Sequence, residues 1–212
     1  MTLVGRHILI TAGPTHEPID PVRYLANRSS GKQGFAIAQA LAARGARVSL
    51  IAGPVSLPTP EGVTRIDVES ARDMAKAVEA TLPADVAVMT AAVADWRVEA
   101  TGQKLKKTRD GPPTLTLVEN PDILKWIGHA PERPRLVVGF AAETENLLEN
   151  AAAKRIRKGA DWIVANDVSG DVMGGTMNEI HLVTADGIES LPRMPKDDVA
   201  EWLAAQIDRA LS

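Results

Sequence analysis

The 212-residue chain contains no cysteine. A disulfide framework, a thiolate metal site and a cysteine nucleophile are therefore excluded, and the composition fits a reducing cytoplasm. Outside alanine-rich helical segments, the longest apolar stretch is Val86–Ala94, interrupted by Thr90. It falls far short of the roughly twenty residues that cross a bilayer. The first residues, MTLVGRHILI, lack the extended apolar core and small-residue cleavage site of a secretory leader. Positive charge is not in excess either: 24 Lys and Arg face 27 Asp and Glu, for a net charge of −3. A general nucleic-acid binder needs a broad positive field, which this chain does not have. Neither a membrane nor a nucleic acid is an expected partner. No internal repeat or low-complexity segment occurs.

A hydrophobic content of 45% and a charged content of 24% suit one globular α/β domain over residues 1–212. Apolar, β-branched stretches at Ile8–Ala12, Arg47–Ala52, Thr64–Val68, Val86–Ala91, Leu136–Phe140 and Trp162–Ala165 read as strands. Between them, Phe35–Arg44, Ala71–Leu82, Pro121–His129 and Leu147–Lys158 read as helices. Gly45 and Gly159 stop two of these helices, and Ser70 and Asp122 sit where N-terminal caps belong. Near-continuous apolar strands separated by amphipathic helices imply a mostly parallel sheet covered on both faces, a three-layer α/β/α Rossmann-like fold. Asn178–Thr184 and Ile188–Leu191 flank Asp186-Gly187 as a C-terminal β-hairpin, and Pro195–Leu211 closes the chain as a helix. Gly53–Pro60 and Gly102–Pro113 read as long loops.

The most informative stretch is Ile8–Gly34, ILITAGPTHEPIDPVRYLANRSSGKQG. A strand, a glycine-punctuated loop and a helix place unpaired N–H groups and the positive end of a helix dipole together, which is an anion site. A loop of about twenty residues is long for such a connection and usually carries function. Arg23, Asn27, Arg28, Ser29, Ser30 and Lys32 suit a phosphate on a polar chain.

The familiar nucleotide patterns fail on this stretch. A P-loop ending at Gly31-Lys32 requires glycine where Ala26 stands, and serine or threonine where Gln33 stands. A dinucleotide fingerprint requires three spaced glycines after the first strand and an acid ending the second, whereas the chain has Gly13-Pro14 and Gly53-Pro54. An NAD(P)-binding oxidoreductase is thus the weaker alternative. The four histidines show no ligand spacing, although Mg²⁺ can arrive with a nucleotide because it uses few protein ligands. Two basic clusters follow strands: Lys104-Leu105-Lys106-Lys107, and Lys154–Lys158, where Lys154 and Lys158 share a helix face. A solvated loop and a favoured helix C-terminus explain them singly. Together they suit a triphosphate.

Taken jointly, ITAGPTHEPIDPVRYLANRSSGKQGFAIA, SLIAGPVSLPTP, AAVADWR, KLKK, ENPDIL, VGFAAET, KRIRK and ANDVS resemble the bacterial phosphopantothenoylcysteine synthetase family. The resemblance implies joining of 4′-phosphopantothenate to cysteine in coenzyme A biosynthesis, with CTP and Mg²⁺, by a homodimer. It also implies a flavin-dependent decarboxylase as fused or separate partner. No such half precedes Met1, so the expectation is a free-standing enzyme or an excised domain.

By motif, Asn27 resembles the family's catalytic asparagine, which contacts the phosphopantothenate moiety. Arg23 resembles an arginine offered to the substrate, the neighbouring subunit being one source of it. Ser29, Ser30, Gly31 and Lys32 fall in the substrate segment, and Ala92 is similar to a residue whose backbone meets the substrate. Met89, Thr90 and Ala91 match a segment lying along CTP, and Asp95 matches a nucleotide-binding acid. Lys104 resembles the lysine on the nucleotide phosphates, with the choice among the lysines of KLKK left open. Val118, Glu119, Asn120, Pro121 and Phe140 look like cytidine contacts, and Lys154 and Lys158 like lysines reaching the nucleotide. The family's chemistry runs through an acyl-cytidylate that the cysteine amine then captures.

Overall fold

The computed structural model describes residues 3–106, 111, 113–143, 145–167 and 175–212. Lys107, Thr144, Val168 and Ser169, which fall in the motifs above, lie outside the described residues. Among the described residues the chain runs β1 (His7–Ala12), β2 (His16–Asp20), β3 (Arg23–Ala26), α1 (Lys32–Ala43), β4 (Arg47–Ala52), β5 (Val63–Asp67) and α2 (Ala71–Thr81). It continues through β6 (Val86–Met89), β7 (Trp96–Val98), β8 (Leu117–Glu119), α3 (Ile123–His129), β9 (Leu136–Glu143) and α4 (Leu147–Lys158). The last elements are β10 (Trp162–Asp167), β11 (Met177–Val183), β12 (Ile188–Pro195) and α5 (Lys196–Leu211).

Eight strands form one sheet in the order β12-β11-β10-β9-β6-β1-β4-β5. The pairings from β5 across to β10 are parallel, and β11 and β12 add antiparallel pairs. Numbered among themselves, the parallel strands lie third-second-first-fourth-fifth-sixth, the doubly wound order in which a crevice opens between the first strand and the fourth. Here that crevice lies between the carboxyl ends of β1 and β6.

Every residue of β1 is buried, as a strand covered on both faces must be. Ile8, Ile10 and Ala12 face one core with α1 and α5, where Leu41, Leu203 and Ile207 are buried. Leu9 faces the opposite core, with Met74 and Val78 of α2 and Ile127 of α3. The three-layer expectation therefore holds, with α1 and α5 on one face and α2, α3 and α4 on the other. Among the described residues no helix is long and apolar enough to cross a membrane.

Local signals act as read. Ser70 and Asp73 form a reciprocal capping box on α2, and the Asp122 side chain accepts from the Lys125 N–H at the start of α3. Gly45 and Gly159 follow or close their helices in the left-handed conformation, with φ of 89° and 65°. α1 begins at Lys32 rather than Phe35, because Gly31 takes the cap position with φ 73°. The segment read as one long loop contains β2 and β3, an antiparallel hairpin. It leaves and returns at a neck: a Cβ on Gly31 would lie 3.5 Å from the Gly13 Cα. Likewise β7 and β8 pair across the second long loop.

Candidate functional site

A cavity of about 860 Å³ opens at the β1–β6 crevice. Its central wall is the first turn of α1, from Gly31 to Gly34. Gly34 is required there by proximity: a Cβ would lie 2.4 Å from Thr90 Oγ1 and 2.6 Å from Ala12 Cβ. α1 thus sits directly on β1 and β6. No side chain caps its N-terminus and no acidic residue occupies its first turn, so the positive end of its dipole is turned on the cavity without a neutralising charge from its own first turn.

Across the crevice runs the segment from Thr90 to Asp95. The Ala92 N–H donates to Gly13 O at 2.9 Å, and the Ala94 N–H to Thr15 Oγ1 at 3.0 Å. On its other side, Asn120 donates from its backbone to Asp95 O at 2.8 Å and from Nδ2 to Ala94 O at 2.9 Å. Asn27, returning from the β2–β3 hairpin, donates from Nδ2 to Val93 O at 3.0 Å. The hairpin and the segment between β8 and α3 are therefore both tied to the crevice segment through its carbonyl oxygens.

On the α3–α4 side, Lys154 Nζ donates to Phe140 O at 2.8 Å. Lys158 is ion-paired with Asp122. Burial pushes the Asp122 carboxyl up, but the Lys158 hydrogen bond and the Lys125 N–H outweigh it and hold the group below the usual carboxylate range. Both lysines line the cavity one helical turn apart.

The cavity gathers Asn27, Ser29, Ser30, Gly31 and Lys32 with Met89, Thr90, Ala91, Ala92 and Asp95. Glu119, Asn120, Pro121, Phe140, Lys154 and Lys158 complete the expected set within it. Arg23, Lys104 and Val118 are outside its wall. Arg23 instead pairs with Asp20, and its guanidinium donates to Leu105 O at 2.8 Å. Asp20, only 4% exposed, also accepts from the Leu105 N–H at 3.1 Å. The residue after Lys104 is thereby clamped by both of its backbone groups to the hairpin that carries Asn27. Sequence reasoning missed Gln33 as a lining residue, together with Asn166, Asn178 and Lys196 from β10, β11 and α5. A buried asparagine at a strand end was the available signal for two of them.

Comparison with known proteins bears on the same fold. The family profile described as the DNA/pantothenate metabolism flavoprotein C-terminal domain matches residues 3–211. The coenzyme A biosynthesis bifunctional protein CoaBC of Escherichia coli (strain K12) is 47% identical over 207 residues, which cover 95% of this chain and 51% of that protein. CoaBC of Bacillus subtilis (strain 168) is 45% identical over 210 residues, 97% of this chain and 52% of that one. The chain thus spans about half the length of these curated relatives. The crystal structure of the C-terminal domain of a CoaBC protein superposes with a TM-score of 0.85 at 41% identity, covering 99% of this chain and 97% of that one. A Cab2 mutant in complex with phosphopantothenate-cysteine, at 17% identity and a TM-score of 0.79 over 97% of this chain and 87% of that one, shares the fold. The chain belongs to the family of DNA/pantothenate metabolism flavoprotein C-terminal domains.

Proposed function

We propose that this chain is a phosphopantothenate–cysteine ligase of coenzyme A biosynthesis, activating 4′-phosphopantothenate with CTP and passing the acyl group to cysteine. One observation carries the reading: a single cavity joins an asparagine on a polar hairpin, an uncapped helix N-terminus and a pair of lysines on the opposite helix layer. A carboxylate does not acylate an amine unaided, since its oxygen is a poor leaving group. In the first step a carboxylate oxygen attacks the α-phosphorus, and the P–O bond to pyrophosphate breaks. In the second the cysteine nitrogen forms the C–N bond, the acyl C–O bond breaks, and CMP leaves with its electron pair while the amine gives up a proton.

Lys154 and Lys158 offset charge gathered on the nucleotide, the main electrostatic demand of phosphoryl chemistry. Asn27 meets the acyl end as a neutral donor, and losing one such donor typically costs about 3–4 kcal/mol. Among the described residues no cluster of three metal-ligating side chains occurs, which suits Mg²⁺ carried mainly by phosphates and water. With the cavity's third carboxylate, Asp122, paired to Lys158, Asp95 and Glu119 would hold the ion, and it would neutralise phosphate charge.

The same reading includes a homodimer, a cytoplasmic setting and a flavin-dependent decarboxylase as fused or separate partner. In this reading Arg23, which lies outside its own chain's cavity, is offered to the neighbour's. The alternative, NAD(P) binding, finds the doubly wound strand order but lacks the glycine fingerprint. Pyrophosphate release with phosphopantothenate and cysteine, compared across CTP, ATP, GTP and UTP, tests the proposal. CTP is expected to be preferred, and no release with any nucleotide would overturn the reading.

A further inference from the structure

One side of the cavity is not used by this reading. On the layer of α1 and α5, Asn178 near the start of β11 is 5% exposed and Lys196 at the start of α5 is 8% exposed. Both line the cavity with Asn166, which is also buried. Gln33 links them from the first turn of α1. Its Nε2 donates to the Lys196 carbonyl oxygen at 3.0 Å, and Asn178 Nδ2 donates to Gln33 Oε1 at 3.3 Å.

The chemistry fixes every amide in this chain of contacts. A backbone carbonyl only accepts, so Gln33 presents its NH₂ group to Lys196 and its oxygen to Asn178. Asn178 must answer with its own NH₂ group. That leaves Asn178 Oδ1 buried with no hydrogen-bond partner. Buried acceptors are rarely left unpaired in folded proteins, because losing water without replacement is costly. Asn178 lines the cavity, and a small turn of its side chain would offer this atom to a donor on a ligand there.

We propose that this side of the cavity receives the amino acid, with the amine of cysteine donating to Asn178 Oδ1 and its carboxylate facing Lys196 and the N-terminus of α1. The inference rests on the ligase reading and assigns the third substrate its place. Ionised phosphates carry no donor to offer Oδ1, and the hydroxyl and N–H donors of the other two substrates are not on the carbon that bears their anion. An α-amino acid carries a donor and an anion on one carbon, which matches an acceptor beside a lysine and a positive helix end. Holding the amine through an N–H leaves its lone pair for the acyl carbon.

Initial rates with cysteine varied at saturating CTP and phosphopantothenate test this, beside single-turnover pyrophosphate release without cysteine. Asn178→Ala is expected to raise the KM for cysteine about tenfold, the size of one lost hydrogen bond. The pyrophosphate burst and the other two KM values are expected within about twofold of the parent. Lys196→Ala is expected to raise the KM for cysteine but not for cysteamine, which lacks the carboxylate. An unchanged KM for cysteine in both variants overturns the proposal, as does an equal rise for CTP or phosphopantothenate. Should Asn178→Ala not fold, the cysteine-to-cysteamine ratio of Lys196→Ala decides alone. Failure of the ligase reading looks different: the unaltered chain then releases no pyrophosphate with any nucleotide, and the subsite falls with it.

Discussion

At Asp20 a single buried carboxylate joins the β2–β3 hairpin to the segment beside Lys104. The Arg23 hydrogen bond is the largest influence on its acidity. Burial pushes the other way, and the Val22 and Leu105 N–H groups help to hold the carboxyl far below its usual range. A depressed folded-state value means a stabilising contribution that is whole above about pH 4, where the unfolded carboxyl is ionised, and is lost as pH falls towards the folded value. Asp20→Asn is therefore expected to lower Tm most near neutrality and to show a shallower loss of Tm in acid. Thermal melts from pH 2 to 7 check this, and equal acid slopes in both proteins would detach Asp20 from the transition. The proposed chemistry is divided between Asn27 at the cavity and Lys104 outside its wall. Lys104→Gln is expected to block pyrophosphate release, whereas Asn27→Asp permits it and slows capture by cysteine. Equal loss of the single-turnover burst in both variants would end that division of labour.

Among the elements, the close seat of α1 on β1 and the end of β6 is a tight constraint at the site. Gly34→Ala brings a methyl group against Thr90 Oγ1 and Ala12 Cβ. Alanine favours the helix by about 1 kcal/mol, but overpacking at so close a contact costs about 2–3 kcal/mol, so a net loss of about 1–2 kcal/mol is expected to lower Tm by roughly 2–8 °C. A melt no lower than the parent's would mean that α1 can lift off the sheet freely. The buried strands and amphipathic helices were legible in the sequence because their periodicities are decided locally. Two hairpins were not. β3 is mostly exposed, Pro18 interrupts β2, and their register shifts between Pro18 and Asp20, so no clean alternation marks them. β7 and β8 are three residues each and pair across a long separation. The site divides in the same way. Asn27, Lys154 and Lys158 sit in recognisable runs, whereas Gln33, Asn178 and Lys196 meet only because β11 and α5 return beside α1.

On the scale of the whole molecule, the two hairpins carry exposed apolar side chains that a lone sheet does not need. Val22 is 59% exposed, Tyr24 55%, Trp96 55% and Leu117 52%. Exposed apolar side chains of this size suit the proposed association surface. The proposed homodimer is expected to show twice the chain mass in sedimentation, and Tyr24→Glu to shift it towards monomer while the far-UV spectrum stays unchanged. A parent chain that sediments as a monomer at micromolar concentration would remove Arg23 from a neighbour's cavity.

The neck at Gly13 and Gly31 has a kinetic consequence. Because β1 and α1 meet there, residues 14–30 form a closed excursion whose ends are fixed by the sheet rather than by the hairpin. The entropy of closing that loop is met when β1 and α1 dock, and it grows only slowly with loop length. Assembly of the sheet does not have to wait for the segment that carries Asn27, and changes at the exposed turn of the hairpin, away from the buried Thr15, Glu17 and Asp20, should alter the proposed acyl-substrate site before they alter whether the chain folds.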